Sequence, residues 1–288
     1  MASNDDISVT WNAPPVRLDR ALRELFPLWA KAALNETISS RRVRVNSKVI
    51  WMSSWKVERG DRIEIHLPPD PKEAGPESFD ARWVVADEGS YLVVDKPEGL
   101  RPEPTQRNDT TPNLLSMMKT AFGSEIVLAH RLDRDTSGLI IATRPGTIRA
   151  QLDEMFRTHT IEKRYEAIVT APNDLSPSGT IDSLLAPDQD RRDKQCVVER
   201  GGKRAITEYE VFQGPAPAAA TTGQQRVRLW PRTGRTHQLR VHCASAGAPI
   251  LGDRLYGEHA SAPRLLLHAT ELQLPLGTGR CYTSPVPF

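Results

Sequence analysis

A segment rich in proline, glycine and acidic residues divides the chain into two unequal parts. It reads PPDPKEAGPESFD and covers residues 68–80 of the 288. Such a composition favours a solvated linker, because proline cannot donate a backbone hydrogen bond and charged side chains resist burial. We therefore predict an N-terminal extension over 1–16, a small domain over 17–69, a linker over 70–82 and a larger domain over 83–288.

Hydrophobic spacing in the small domain predicts two helices and a few strands. Apolar residues recur over Leu18–Phe26 with the spacing of one helix face, and Pro27 ends the pattern. A second helical pattern covers Ala30–Ile38. Apolar residues then alternate with polar ones at 43–45 and 63–67, as they do in half-buried strands. The small domain is therefore expected to pack two helices on a small sheet.

Basic residues are concentrated in the small domain. Residues 17–69 contain 11 lysines and arginines against 6 acidic residues, whereas the whole chain has a formal net charge of only +2. A nucleic-acid partner would therefore be bound by local basic patches. The best candidates for phosphate contacts surround the second helix and the hairpin that follows it: Arg41, Arg42, Arg44 and Lys48. A solvated basic face without a partner is the alternative.

The larger domain is predicted to have an α+β fold on a mostly antiparallel mixed sheet. Many short apolar segments in it have the length and composition of strands, whereas helical spacing is clear only over Ile148–Phe156. Strands and helices do not alternate regularly, which argues against a parallel sheet of βαβ units. The fold class is therefore α+β, with a small α+β domain preceding the larger one.

Composition limits the expected cofactors and compartment. Cys196, Cys243 and Cys281 are too few and too far apart for a disulfide framework or a zinc site, so a reducing compartment is expected. No apolar stretch approaches the ~18 residues of a membrane span, and the N-terminus lacks the apolar core of a signal peptide. We predict a cytoplasmic protein with no metal, no cofactor and no membrane partner.

The tetrapeptide RLDR occurs twice, at residues 17–20 and 131–134. In the first copy Asp19 lies off the apolar face of a predicted helix and has the character of a solvated acid in its first turn. The second copy follows an apolar strand and precedes turn-forming residues, so it lies in a loop between two buried strands, where catalytic side chains are commonly presented. The loop alone leaves open whether Asp133 is a catalytic carboxylate or part of a structural salt bridge.

The longer string HRLDRDTSG resembles the signature of the RluA-type pseudouridine synthases. Five further segments resemble that family in the same order: VVDKPEGL (93–100), KRYEAIV (163–169), GGKRAITEYEV (201–211), RTGRTHQLRVHCASAGAPILGDRLYG (232–257) and RLLLHA (264–269). One departure follows the first of these, where RPEP (101–104) replaces an apolar residue and a small turn. The small domain resembles the alpha-L RNA-binding module of a small-subunit ribosomal protein, with Asn46-Ser47 in place of an asparagine-glycine turn.

The resemblance implies an isomerase that converts uridine in RNA to pseudouridine without a metal or cofactor. Asp133 would be the nucleophile, or the carboxylate that starts cleavage of the glycosidic bond. Arg240 would pair with Asp133 and stabilise its negative charge. Tyr165 would stack on the target base and take part in proton transfer at the sugar. Leu239, just before Arg240, would pack beside the site.

The resemblance also implies a basic rim around the site. Arg131 would help to fill the space that the flipped uridine leaves, with a structural ion pair as the alternative. Lys96 is expected to be structural or to contact phosphate, and His237 and His242 are expected to hold loops by hydrogen bonds. The basic residues predicted to contact RNA near the site are Arg131, Arg134 and Arg235.

The principal interpretation is a monomeric pseudouridine synthase that acts on large-subunit ribosomal RNA. A fused alpha-L module is typical of family members with that target, whereas transfer RNA is the alternative substrate. Two interpretations come from other classes: a catalytically silent RNA-binding factor for ribosome assembly, and an aspartate-dependent hydrolase. The second would need a further carboxylate or metal cluster, which the sequence does not show.

Overall fold

The chain forms two compact units, Met1–Ala74 and Gly75–Phe288. The computed structural model describes residues 6–25, 31–39, 41–66, 76, 78–104, 111–171, 175–191, 193–213, 223–257, 262 and 264–288. The division between the units falls inside the predicted linker, of which residues 70–75 and 77 lie outside the described part. Phe26, Pro27 and Ala30, which enter the predicted helix patterns, lie outside it as well.

The first unit packs two helices on a four-stranded antiparallel sheet. Its elements are β1 (Asp6–Thr10), β2 (Val16–Arg17), α1 (Leu18–Leu25), α2 (Lys31–Ser39), β3 (Val43–Val45), β4 (Lys48–Ile50), β5 (Lys56–Val57) and β6 (Arg62–His66). The strand order is β1-β6-β3-β4, and β2 pairs with β5 separately. The apolar spacing of α1 buries Leu18, Ala21 and Leu22. Its polar positions remain on the outer face of the helix.

Residues 6–16, which precede Arg17, are built into this unit. Strand β1 pairs with β6 over its whole length, from Asp6 opposite His66 to Thr10 opposite Arg62. Trp11 then enters the core with only 3% of its surface exposed. The sequence predicts an extension over 1–16; within it the structure forms the strand Asp6–Thr10, and residues 1–5 lie outside the described part. A five-residue strand carries too few alternations of apolar and polar residues to be recognised from sequence.

Asn46 and Ser47 form the turn between β3 and β4. Asn46 and Ser47 have φ angles of 49° and 67°, the left-handed pair that a type I′ hairpin turn requires. The Asn46 side chain donates to Asp61 Oδ1 at 2.7 Å and accepts the N–H of Arg62 at 2.9 Å. These bonds hold the turn in place, although the second position carries serine where glycine fits without strain.

The second unit is built on an 11-stranded mixed sheet. After a 3-10 turn at Ala81–Trp83, its elements are β7 (Val84–Asp87), β8 (Tyr91–Lys96), α3 (Leu114–Phe122), β9 (Val127–Leu128), β10 (Ser137–Thr143), α4 (Ile148–Arg157), β11 (Glu162–Thr170), β12 (Ser178–Pro187), β13 (Gln195–Val198), β14 (Lys203–Phe212), β15 (Gln224–Pro231), α5 (Gln238–Ser245), β16 (Leu267–Leu274) and β17 (Arg280–Thr283). The strand order is β13-β12-β14-β15-β11-β16-β10-β8-β7, with β17 on β16 and β9 on β10. The predicted α+β fold with a mostly antiparallel sheet is confirmed.

Strand β10 is central to this unit and is buried along its entire length. Ile140 and Ala142 belong to the core on one face of the sheet, and Leu139 and Ile141 to the core on the other. Its start pairs in parallel with β16, whereas its other pairings are antiparallel. Gly138 makes the parallel approach possible, because a Cβ there would lie 2.4 Å from the backbone oxygen of Ala269. The loop before β10 is therefore attached to a rigid element.

Candidate active site

The loop between β9 and β10 carries Asp133 and is anchored on both sides of it. His130 is stacked at 4.6 Å on Phe156, and its Nε2 accepts the N–H of Ile141 at 3.1 Å. Leu132 is buried in the core beneath the loop. The side chain of Asp133 remains 25% exposed. The loop thus presents one carboxylate to solvent while its neighbours fix the backbone.

Lys96 fastens this loop from below. Its ammonium group is fully buried and donates to the backbone oxygens of Pro97, Leu100 and Arg134 at 2.8, 2.9 and 2.8 Å. Burial lowers the pKa of Lys96 to about 7, although Asp135 and Asp133 oppose the change. A fully buried ammonium cannot reach an RNA phosphate. Lys96 is therefore a structural residue that ties the turn over 97–100 to the Asp133 loop.

Arg240 approaches Asp133 from α5 and is itself held by a second carboxylate. Its Nη1 lies 3.7 Å from Asp133 Oδ2, while Nε and Nη2 donate to Asp253 at 2.8 and 2.7 Å. Asp253 is 1% exposed and also accepts the backbone N–H groups of Leu255 and Tyr256. Burial opposes the charge on Arg240, but its bonds to Asp253 outweigh burial and raise the pKa of the guanidinium. Asp253 thus supports a permanent cation beside Asp133.

Asp253 is a site residue that sequence reasoning missed. It lies in GDRLYG (252–257), at the end of the segment over 232–257 that resembles the family. A lone acid in a turn carries no signal of its own, because acids are common there. Its contact with Arg240 arises only when α5 and the turn after it fold against each other.

Tyr165 and Leu239 form the apolar surface next to Asp133. Tyr165 is 8% exposed on β11, and Leu239 is 7% exposed at the start of α5. Burial, together with the charge of Asp133, raises the pKa of the Tyr165 phenol above its usual value. Tyr165 is therefore a neutral phenol at physiological pH. A planar ring and a branched aliphatic side chain of this kind suit the faces of a flat aromatic ligand.

His237 reaches the other oxygen of the Asp133 carboxylate. It has a left-handed φ of 54° just before α5, and its Nε2 lies 4.0 Å from Asp133 Oδ1. Its Nδ1 bonds to the hydroxyl of Tyr256 at 2.8 Å. Burial lowers the pKa of His237 more than the charge of Asp133 raises it. A neutral imidazole and the Arg240 cation therefore flank the carboxylate on its two sides.

A cleft of about 730 Å³ surrounds these groups. This volume lies within the range that small-ligand pockets occupy. Residues 101–104, where the sequence departs from the family pattern, form part of its wall. The predicted site residues that line the cleft are Arg131, Asp133, Arg134, Tyr165, Arg235, Leu239 and Arg240. The structure thus brings together side chains from three separate parts of the sequence.

The predicted basic residues differ in how they are held. Arg131 is exposed, and no ion pair holds it within the residues that the structure describes. Arg134 pairs with Asp135 at 2.9 Å, and Arg235 Nε donates to the Arg204 backbone oxygen at 3.1 Å. Arg131 therefore lacks the structural ion pair that was its alternative interpretation.

The predicted basic residues of the first unit lie on its own surface. Arg41 and Arg44 are exposed, Arg42 is half-buried and Lys48 is exposed. The Arg41 guanidinium lies 5.5 Å from the ring centre of Trp51, which is 54% exposed. An exposed tryptophan beside cations is a surface on which nucleic-acid bases can stack.

A chain of buried polar groups supports the end of the Asp133 loop. The Ser137 hydroxyl accepts from Arg264 at 2.6 Å and bonds to His268 Nδ1 at 2.9 Å. His268 Nε2 bonds to Ser284, whose hydroxyl donates to Asp95 at 2.6 Å. Each member of the chain has a partner, as buried polar groups require. Strands β8, β10 and β16 are thereby connected directly beneath the site.

Three histidines make the fold sensitive to acid: His242 and His268, which are buried, and His130, which is half-buried. Burial lowers the pKa of His130 to about 3 and the pKa values of His242 and His268 to about 4. An unfolded histidine titrates near 6.5, so between about pH 6.5 and 4 the unfolded chain binds protons that the folded chain does not. We expect the free energy of unfolding, measured in urea, to decrease as the pH is lowered through this window. Each histidine contributes at most about 1.4 kcal/mol per pH unit.

The variant His242→Gln tests this expectation. His242 bonds to Thr207 at 2.9 Å and Ser183 at 3.1 Å, and a glutamine can replace both hydrogen bonds without titrating. The variant should therefore lose less stability than the wild type between pH 7 and pH 5. Equal losses in the two proteins would contradict the assignment of a neutral, buried His242.

Among the described residues, no group of three or more histidine, cysteine or acidic side chains could hold a metal ion. Cys196, Cys243 and Cys281 are free thiols. No helix in the described part of the chain is both long and apolar enough to cross a membrane.

Residues 90–245 match the family model for RNA pseudouridylate synthase, and this stretch contains Asp133, Tyr165 and Arg240. A ribosomal large subunit pseudouridine synthase D from Zymomonas mobilis is 33% identical over 269 residues, which cover 89% of this chain and 82% of the relative. An uncharacterized RNA pseudouridine synthase from Aquifex aeolicus is 32% identical over 260 residues, covering 87% and 80%.

A solved structure resembles the fold. Human RNA pseudouridylate synthase domain containing 1 superposes with a TM-score of 0.60 at 27% identity, covering 71% of this chain and 83% of that one. The chain therefore belongs to the RNA pseudouridylate synthase family, isomerases that make pseudouridine in RNA. The predicted RluA-type membership is confirmed, and neither a silent binding factor nor a hydrolase is favoured.

Proposed function

We propose that this protein isomerises uridine to pseudouridine in large-subunit ribosomal RNA, with Asp133 as the carboxylate that starts the reaction. The observation that carries the proposal is the placement of Asp133 in the cleft. Its carboxylate is accessible, and Arg240, fixed by Asp253, lies on one side of it. A carboxylate that must keep its charge beneath a bound base needs such a cation.

The reaction needs one carboxylate and the controlled movement of one proton. The bond between uracil N1 and ribose C1′ breaks, the base turns, and uracil C5 forms a new bond to C1′. C5 then loses its proton and N1 gains one, so the product is an isomer of the substrate. Asp133 is suited to start the cleavage as a nucleophile or by stabilising charge at C1′. Arg240 places a positive charge beside this carboxylate, 3.7 Å from its Oδ2.

Tyr165 is proposed to stack on the target base once the base has left the RNA helix. Extruding a nucleotide costs a few kcal/mol, which contacts in the pocket must offset. The Tyr165 ring and Leu239 supply the apolar part of those contacts, and the neutral phenol can exchange a proton at the sugar. Arg131, exposed and without an ion pair among the described residues, is positioned to occupy the space that the base leaves. Arg134 and Arg235 would add phosphate contacts at the rim.

Large-subunit ribosomal RNA is the proposed target for two reasons. Several relatives at 30% identity or more carry the name ribosomal large subunit pseudouridine synthase D. The first unit also presents Arg41, Arg42, Arg44 and Lys48, which fits an alpha-L module over 17–69 that binds the RNA backbone. A cytoplasmic monomer remains our prediction, which cell fractionation and the mass of the protein in solution would test.

Release of tritium from carbon 5 of labelled uridine tests the function and the target together. Transcribed large-subunit ribosomal RNA and transfer RNA, both labelled at that carbon, are incubated with the full-length protein. We expect release from the ribosomal transcript and none from transfer RNA, because C5 loses its hydrogen only when the new bond to the sugar forms. Release from transfer RNA alone would refute the target, and no release from either RNA would refute the activity.

A further inference from the structure

Lys163 presents an ammonium group to the cleft without a counter-charge. It lies two residues before Tyr165 on β11, across an irregularity in the pairing of β11 with β16, and both side chains line the cleft. Within the part of the chain that the structure describes, no carboxylate forms an ion pair with Lys163 and no acceptor bonds to its ammonium. A half-buried amine of this kind lacks the partner that burial normally requires.

The groups around Lys163 are basic as well. His130, His159 and Arg235 line the same cleft. Burial and then the charge of Lys163 lower the pKa values of both histidines, and Arg235 contributes further to the effect on His159. His130 already bonds to the backbone, which leaves His159 and Arg235 as the neighbours of Lys163 that a ligand can reach.

The acidic residues of the cleft do not neutralise this cluster. Asp133 and Glu103 are the carboxylates in its lining, and neither forms an ion pair with Lys163. Asp133 faces Arg240 and His237 instead. Among the described residues the cleft therefore has two regions of different character: a carboxylate with its own cation, and a basic cluster with which no carboxylate pairs.

The geometry points to a binding site for a phosphodiester of the RNA substrate, formed by Lys163, His159 and Arg235. This inference rests on the proposed function, because it takes the target uridine to lie between Asp133 and Tyr165. Lys163 lies roughly 7 Å along the strand from Tyr165. That distance places it beyond a base stacked on the tyrosine ring, where the nucleotide backbone leaves the pocket. Phosphate oxygens would accept hydrogen bonds from all three side chains and supply the missing negative charge.

Salt dependence of RNA binding tests the site. Each cation that contacts a phosphate adds a defined increment to the slope of log Kd against log[NaCl]. Binding of transcribed large-subunit ribosomal RNA is measured by filter retention at several NaCl concentrations. The full-length Asp133→Ala protein is the parent, so that no turnover occurs. We expect added Lys163→Met to weaken binding about tenfold at low salt. The slope of log Kd against log[NaCl] should fall by ~0.7 to 0.9.

Two matched variants separate this role from a general loss of charge. Lys163→Arg keeps a cation and should keep the slope of the parent. Lys119→Met removes an exposed lysine on α3 that does not line the cleft, so its slope should also remain that of the parent. If Lys163→Met has the slope of the parent, the phosphate site is wrong. If Lys119→Met lowers the slope as much, the cleft has no special role.

Two further measurements distinguish other roles of Lys163 and the proposed function itself. A structural role predicts a lower melting temperature for Lys163→Met, whereas removing an amine without a partner should leave it unchanged or raise it. A proton-transfer role predicts a loss of kcat with unchanged Kd and slope, not rescued by Lys163→Arg, and would overturn the inference. Tritium release by the wild type reports separately on the function, so an active enzyme with an unaltered Lys163→Met slope refutes only the phosphate site.

Discussion

Asp133→Ala should abolish tritium release from ribosomal RNA, with a loss of at least about four orders of magnitude in rate. The variant removes the carboxylate that we propose starts the cleavage, and among the described residues no other acid that lines the cleft pairs with Arg240. Its fold should remain intact, because Arg240 keeps both hydrogen bonds to Asp253. Single-turnover assays with excess enzyme, together with circular dichroism, would measure both effects.

The chain contains its own control for this experiment. Asp19 occupies the same position in the other RLDR, at the first turn of α1, where it pairs with Arg17 at 3.1 Å and Arg23 at 3.7 Å. Exposed pairs of this kind contribute about 0 to 1 kcal/mol each. Asp19→Ala should therefore retain nearly full activity. A large loss in Asp19→Ala, or residual activity in Asp133→Ala, would contradict the assignment.

Asp253→Ala should be both inactive and unstable. It leaves the Arg240 guanidinium buried with only the more distant Asp133 carboxylate, and breaking a buried ion pair typically costs about 3–5 kcal/mol. Without its two hydrogen bonds to Asp253, Arg240 is no longer fixed beside Asp133. We expect at least a hundredfold loss in kcat and a large decrease in the free energy of unfolding in urea.

A double variant separates the two effects of Asp253. In Arg240→Met/Asp253→Asn the buried cation is removed, and the asparagine oxygen can still accept the N–H groups of Leu255 and Tyr256. Much of the lost stability should return, because no unpaired charge remains. Activity should not return, because Asp133 has lost its cation. If activity recovered with stability, Arg240 would have no role beyond the fold.

Much of the candidate site could be predicted because its residues lie in recognisable sequence segments. Asp133, Tyr165 and Arg240 each occupy a segment that resembles the family, and the structure places all three in one cleft. The α+β fold follows from the abundance of strand-like segments. The prediction that the Asp133 loop lies between two buried strands is met on one side by β10, which is buried along its entire length.

The remaining features depend on contacts between distant segments, which local patterns do not record. Asp253 acquires its role only from the packing of α5, and Lys163 acquires its exposure to the cleft from the strand pairing around β11. The parallel contact of β10 with β16 cannot be predicted from either strand, since it needs Gly138 to meet Ala269 at close range. Strand β1 is too short to carry a clear periodicity.

The buried polar chain beneath the Asp133 loop affects when the enzyme becomes active during its synthesis. Arg264 and His268 follow Ser137 by 127 and 131 residues, so the ribosome makes these supports long after the loop itself. Until β16 has left the exit tunnel, β10 lacks its parallel neighbour and Ser137 lacks both partners. The first unit, with its basic surface, is complete well before that. The loop that carries Asp133 therefore gains these supports only after residues 264 and 268 have been synthesised.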